Sequence, residues 1–246
     1  MSHIHRFYIP TLSQSAKDVL LTDEEAHHAL RVVRVQTGDR VCLFDGQGRE
    51  ADAVVSSASK REVSMEVRAL RVLEPPRHRL VLLQAWLHRE KGIEFVIEHG
   101  TEVGVSKFVF FRARRSERVP KVHPRWEKLA IEACKQCGRL WLPEFECANN
   151  LEDALRLAEG TVLLATKDID PSHLSQRLGD GDATIVIGPE GDFSEEELHQ
   201  VTEHGGSAIS LGKATYRSEM AALLAAALVK YEWERQEQAL LQIDHG

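Results

Sequence analysis

Two short runs in the C-terminal half concentrate the residues able to do chemistry. They are Ile187-Gly188-Pro189-Glu190-Gly191 and Leu211-Gly212-Lys213-Ala214-Thr215-Tyr216-Arg217-Ser218-Glu219. Each follows a short apolar segment that reads as a strand, so both fall where the strands of an open α/β sheet end and ligands bind. Glycines at such places let backbone amides and carbonyls approach a ligand closely. Gly and Pro also make ordinary strand-to-helix turns, so these residues alone leave a ligand loop and a plain turn both open. No GxGxxG follows a strand and no GxxxxGKS/T occurs, which argues against Rossmann dinucleotide and P-loop phosphate sites. Arg217 can steady developing negative charge, or simply pair with Glu219 or Glu190. Glu219 suits orienting Arg217 or capping the helix that follows, and Glu190 suits a helix N-terminus as well as a substrate.

Metal chemistry has little to build on. Cys42 and Cys147 stand alone, and Cys134 and Cys137 form one CxxC in a helix-like run with no second pair. They read as small residues on one helical face, and no metal is expected. His27 and His28 are adjacent, without an HExxH or HxH cluster. Nucleic-acid binding has a better basis, despite a net charge of -7. From Lys107 to Arg139 there are ten Lys/Arg (Lys107, Arg112, Arg114, Arg115, Arg118, Lys121, Arg125, Lys128, Lys135, Arg139) against Glu117, Glu127 and Glu132. Such a block suits RNA phosphates, and equally a solvated charged face.

The elements that must position these groups fall into two regimes. Up to about residue 70, short β-branched runs at Arg40 to Phe44, Glu50 to Val55 and Glu62 to Val67, with the turn Asp45-Gly46-Gln47-Gly48, predict a small antiparallel barrel or sandwich. Between them, Asp23 to Val35 has helical periodicity, opening at Thr22 and closing near Gly38. Glu74-Pro75-Pro76 ends this part, since paired prolines stiffen a linker and cannot continue a ladder.

Beyond it, strands alternate with helices, the pattern of an α/β sheet. Strands are predicted at Arg79 to Trp86, Lys107 to Phe111, Thr161 to Thr166, Ala183 to Ile187 and Ala208 to Leu211. Helices are predicted at Lys91 to Glu102, at Pro124 to Cys137, after Phe193 with a Ser194/Glu197 capping box, and from Ser218 to about Gln236. Met220 to Val229 is apolar nearly all round and is expected to be buried, in part against another subunit. With 246 residues, two domains are expected, 1–73 and 77–246. No run approaches a membrane span and Met1 to Pro10 lacks a signal-peptide apolar region, which reads as cytoplasmic and without a membrane partner.

The strand with Gly188-Pro189-Glu190-Gly191, then Leu211-Gly212 and Arg217-Ser218-Glu219 leading into an apolar helix, resembles the S-adenosylmethionine (SAM) region of SPOUT methyltransferases. Glu90-Lys91 with Glu94-Phe95, Glu102-Val103-Gly104-Val105, Arg115-Ser116 and Glu132-Ala133-Cys134-Lys135-Gln136-Cys137-Gly138-Arg139 narrow the resemblance to the RsmE family. The N-terminal segment, with Arg6-Phe7-Tyr8, His28, Arg31-Val32, Arg34 and Gly38-Asp39, resembles that family's PUA-like RNA-binding domain. One loop departs from the pattern: where RsmE-like chains have Gly-Pro-Arg-Ile-Leu-Arg-Thr-Glu-Thr-Ala, this chain has Gly212-Lys213-Ala214-Thr215-Tyr216-Arg217-Ser218-Glu219-Met220-Ala221.

The resemblance implies an α/β fold, with a PUA-like β-barrel domain before a SPOUT-type domain that carries a trefoil knot. It also implies a homodimer, SAM as cofactor, and methylation of N3 of a uridine in 16S ribosomal RNA of the small subunit. Carried over residue by residue, Thr166, Ile187, Gly188, Pro189, Glu190, Gly191, Leu211, Gly212 and Tyr216 are expected to hold SAM, and Arg217 and Glu219 to serve catalysis. Arg6, His28, Arg31, Arg34, Arg112, Arg114, Arg115, Lys135, Gln136 and Arg139 are expected to meet RNA. Arg31 and Arg34, three apart, are expected on one side of their helix. Two other readings stay open: a non-catalytic RNA-binding or assembly protein on this fold, and a SPOUT enzyme acting on transfer RNA.

Overall fold

The computed structural model describes residues 4–116, 119–166 and 174–243, so Glu117 and Arg118 of the basic block and residues 1–3 of the N-terminal segment lie outside it. The chain forms two compact units: Met1–Pro75 with Ile131–Leu142, and Pro76–Ala130 with Pro143–Gly246.

In the first unit, β1 (His5–Tyr8), β2 (Asp18–Leu21), β3 (Arg40–Phe44), β4 (Arg49–Ala58) and β5 (Val63–Val72) make one sheet in the order β1-β3-β4-β5-β2. It is mixed, since β1 runs parallel to β3 while the other pairs are antiparallel. Alternation decides which residues turn inward. Ala51, Ala53 and Val55 of β4 and Val63 and Met65 of β5 join Phe7, Leu21, Val41 and Leu43 in the core. On the other face of β3, Phe44 packs with Cys134 and Leu140. Gly48 is required in the β3–β4 turn: its φ is +88°, and a Cβ there would sit 2.3 Å from the Trp141 ring.

The helix expected over Asp23 to Val35 is shorter and changes form. Its α-helical part, α1, is Asp23–His27, and His28–Val33 is a π-helical turn. Arg34 adopts φ 60, ψ 46, which ends the helix and redirects Val35 into the core. Arg31 and Arg34 therefore do not share a helical face. Cys134 and Cys137, three apart in the helix Pro124–Cys137, differ in burial: the first is buried and the second exposed.

The second unit is a six-stranded, wholly parallel sheet. In chain order it comprises β6 (Leu80–Ala85), α2 (Glu90–Val103), β7 (Lys107–Phe111), α3 (Pro124–Cys137, whose residues from Ile131 belong to the first unit), β8 (Glu144–Ala148), α4 (Leu151–Leu155), β9 (Thr161–Ala165), α5 (Leu174–Arg177), β10 (Ala183–Ile187), α6 (Glu195–Glu203), β11 (Ser207–Ile209) and α7 (Ser218–Ile243). A parallel sheet covered by helices on both faces needs apolar residues on both, and β6, β7 and β10 are buried at every position. Leu80, Leu82, Phe108, Phe110 and Ile185 pack toward α2 and α7. Val81, Leu83, Val109 and Phe111 pack toward α4 and α6. Each buried large side chain contributes about 1.5–3 kcal/mol.

The Ser194/Glu197 capping box that opens α6 forms. The last strand is Ser207–Ile209, short of the expected Ala208 to Leu211, and α7 runs past Gln236 to Ile243. Within Met220 to Val229 burial is one-sided: Ala222, Ala225, Ala226 and Val229 are buried, whereas Met220 and Leu228 are 40% and 43% exposed. Among the described residues no helix is long and apolar enough to cross a membrane.

Candidate functional site

The strand order β11-β9-β10-β6-β7-β8 contains a switch point. From β6 the chain moves outward to β7 and β8, whereas from β10 the next strand, β11, lies on the opposite side. Connections leaving adjacent strands in opposite directions open a crevice beyond their C-terminal ends. A cleft of about 1740 Å³ lies there, lined by residues 86–92, 95, 115–116, 165–166, 187–192, 211–212 and 214–221.

Every residue expected to hold the cofactor lines this cleft: Thr166 after β9, Ile187 at the end of β10 and Gly188 to Gly191 after it, and Leu211, Gly212 and Tyr216 after β11. Arg217 and Glu219 line it too, whereas Lys213 does not. Gly212 has φ +104° with open space around its Cβ position, so its glycine identity serves the backbone conformation. Gly188 differs. A Cβ there would lie 3.2 Å from the Phe193 ring, close enough that the ring would have to give way.

Local contacts set the loop. The Glu190 carboxylate accepts the His88 backbone N–H at 3.1 Å, tying the turn after β10 to the one after β6. His88 directly precedes Arg89, the N-cap of α2, whose own side chain makes no capping hydrogen bond. Arg217 is exposed and, among the described residues, pairs with neither Glu219 nor Glu190. Its carbonyl accepts the N–H groups of Met220 and Ala221 in the first turn of α7. Glu219 occupies the first turn of α7, where a carboxylate is favoured by the helix dipole. Ser218 is 8% exposed; its hydroxyl accepts from Gln84 Nε2 at 2.9 Å and donates to the Gly188 carbonyl.

The residues expected to meet RNA scatter over both units. Arg115 lines the cleft and donates to the Gly191 carbonyl. Arg114 pairs with Glu196, and Arg112 is exposed. In the first unit Arg31, Arg34 and Gln136 are exposed, while His28 sits edge-on to Phe7. Arg6 pairs with Glu50 at 2.9 Å with its guanidinium over the Phe44 ring, and Lys135 pairs with Glu25 and Glu132 while its side chain is 8% exposed. Burial lowers the pKa of Arg139. Arg6 and Lys135 are thus engaged within their own unit. Among the described residues no group of three His, Cys, Asp or Glu is placed to hold a metal.

The sequence reading took Glu90-Lys91 and Phe95 only as marks of the family resemblance and gave the segment after β6 no site role. Trp86 to Gly92 and Phe95 line the cleft, adding Arg89 and Lys91 as cations and two aromatic rings. Gln84 was also missed, although one polar residue in an otherwise apolar strand was a visible signal.

Residues 74–230 match the RNA methyltransferase domain family, and residues 21–67 match the RNA methyltransferase PUA domain. The chain is 27% identical over 250 residues to the ribosomal RNA small subunit methyltransferase E of Bacillus subtilis, covering 94% of this chain and 98% of that protein. It is 28% identical to the protein of the same name from Rickettsia conorii, covering 92% and 95%. The crystal structure of such an enzyme from Neisseria gonorrhoeae, bound to S-adenosyl methionine, superposes with a TM-score of 0.85 at 27% identity, covering 94% of this chain and 98% of that one. A PUA-like curled sheet followed by a parallel α/β unit is the architecture these matches support, and the chain belongs to the RNA methyltransferase family, of the RsmE type.

Proposed function

We propose that this chain transfers a methyl group from SAM to N3 of uridine 1498 of 16S ribosomal RNA. The observation that carries the proposal is the convergence of two glycine turns, Arg217 and Glu219 on one switch-point cleft. The residues present fit the donor: the cleft exceeds the few hundred Å³ of a small-molecule site, and Gly212 exposes backbone to it without a side chain. Thr166, Ile187 to Gly191, Leu211, Gly212 and Tyr216 would hold SAM, which supplies an electrophilic methyl carried on sulfur. Uracil N3 is a weakly acidic imide, so the chain must orient the base and stabilise the anion that forms as its proton leaves. Arg217, which among the described residues pairs with neither Glu190 nor Glu219, steadies a uracil carbonyl oxygen, and Glu219 lines the same cleft from the first turn of α7.

In the same proposal, Arg31, Arg34 and Arg112 supply exposed cations for RNA phosphates, residues 1–73 serve RNA binding and 77–246 catalysis. The second unit is knotted as in SPOUT proteins, and two copies associate through α7. Mass spectrometry of small-subunit rRNA nucleosides tests the reaction, using cells that lack the protein and carry either the wild-type gene or Arg217→Ala. N3-methyluridine is expected to vanish without the protein, return with the wild type, and stay at least about tenfold lower with Arg217→Ala. Unchanged N3-methyluridine in cells lacking the protein overturns the proposal.

A further inference from the structure

Arg217 and Glu219 flank one buried residue, and its contacts decide where the two side chains lie. Ser218 Oγ donates its proton to the Gly188 carbonyl and accepts from Gln84 Nε2 at 2.9 Å. Gln84 is 0% exposed on β6, opposite Ile187 of β10 in register, and the same Nε2 donates to the Ala85 carbonyl at 2.9 Å. The amide cannot be turned over, because its oxygen would then face the Ala85 carbonyl, which only accepts. This orientation leaves Gln84 Oε1 buried and without a partner among the described residues. Folded chains avoid buried, unpaired acceptors. A leucine at this position would remove that acceptor and match Leu80 and Leu82 on the same face of the strand. A polar side chain kept there at that cost indicates a use for its donor.

We propose that Gln84 and Ser218 are positioning residues for methyl transfer. Through one hydroxyl they clamp the end of β6, the Gly188–Pro189 peptide of the turn after β10, and the first residue of α7. The clamp fixes the first peptide of the proposed donor loop. It also anchors the backbone between Arg217 and Glu219, so both side chains are presented to the cleft they line. This rests on reading that cleft as the SAM site.

The test uses the full chain with SAM and small-subunit rRNA. SAM affinity is measured by calorimetry, kcat and KM by methyl incorporation, and folding by thermal melting. Wild type is expected to bind SAM; a folded wild type that binds none overturns both the functional reading and this inference. Given SAM binding, Ser218→Ala is expected to lower kcat about tenfold or more and to weaken SAM binding by a similar factor, with KM for rRNA unchanged. Ser218→Thr, which keeps the hydroxyl, is expected to return both to within about threefold of wild type. Gln84→Glu supplies a readout that a purely structural role would not move. A neutral carboxyl can donate to Ser218, but a carboxylate only accepts and competes with Gly188 for the hydroxyl proton. That variant is therefore expected to lose kcat as pH rises, relative to the wild-type profile. Three results would each overturn the clamp while leaving the functional reading intact: wild-type kcat and SAM affinity in folded Ser218→Ala, failure of folded Ser218→Thr to rescue, or a wild-type pH profile in Gln84→Glu.

Discussion

Glu50 sits on β4 with its side chain 17% exposed, accepting from Arg6 at 2.9 Å, from the Cys42 thiol at 3.1 Å and from Arg71 at 3.4 Å. Burial alone would raise its pKa, but the hydrogen bonds from Cys42 and Arg6 and the charges of Arg6 and Arg71 outweigh burial and hold the carboxyl below its usual 4.5. The same contact works the other way on its partner: burial first, and then the bond to Glu50, pushes the Cys42 thiol up to about 12. A carboxyl depressed in the folded state adds stability that is complete above the unfolded value and disappears as pH falls through the folded value. Glu50→Gln is accordingly expected to lower stability near neutrality and to flatten the loss of stability below pH 4.5. Urea unfolding of both proteins at a series of pH values checks this. A variant as acid-sensitive as wild type would mean that the network contributes nothing to the acid limb.

Elements whose residues follow one period were legible in the sequence, and those defined by distant partners were not. Lys107–Phe111, Ala183–Ile187 and Pro124–Cys137 stand as expected, the strands because a parallel sheet demands unbroken apolar runs. β8 went unrecognised because Glu144 and Glu146 interrupt it, and both charges are explained only by partners on other segments, Arg79 and Lys107. β1 has four residues and exists by pairing with β3, more than thirty positions away. At the site, glycine turns announced themselves, whereas Gln84 and Trp86 to Arg89 join it through topology, and Glu90-Lys91 was visible only as part of the family resemblance. Periodicity also cannot distinguish an α-helix from a π turn, which is how Arg34 came to be placed on a helical face. Arg34 carries φ +60 without being glycine, a conformation costing an L-residue roughly 1–2 kcal/mol. Arg34→Gly is expected to raise the stability of the first unit by about 0.5 kcal/mol, after the entropy that glycine loses on folding. The same change removes an exposed cation. The salt dependence of RNA binding should therefore fall by about one unit of slope. Melting and RNA titrations across a salt series read the two effects on one sample, and a destabilised variant with the wild-type slope would contradict both.

At the scale of the whole molecule, α7 carries two unlike faces. One buries Ala222, Ala225, Ala226, Val229 and Trp233, and its alanines allow close packing against α2 and β10. The other presents Met220, Leu228 and Tyr231, exposed by 40%, 43% and 65%, with Leu224 and Ala227 between them. Spacings of three and four residues place these five on one stripe, a larger apolar surface than a helix end needs in a monomer. A stripe on a helix can meet its own copy across a two-fold axis, with each residue contacting its symmetric counterpart region. Dimerisation through this face was proposed above, and it has a consequence for the site, because Met220 also lines the cleft. Placing two carboxylates in the stripe, Leu228→Glu with Tyr231→Glu, leaves the buried face untouched but sets like charges against each other in any such dimer. Sedimentation at micromolar concentration is expected to give a dimer for wild type and a monomer for the double variant, with nearly unchanged helix content. Because the stripe and the cleft share Met220, the monomer is also expected to bind SAM less tightly than the dimer, although neither substituted residue lines the cleft. A wild-type monomer would remove the dimer, and a monomeric variant with unaltered SAM affinity would separate the interface from the site.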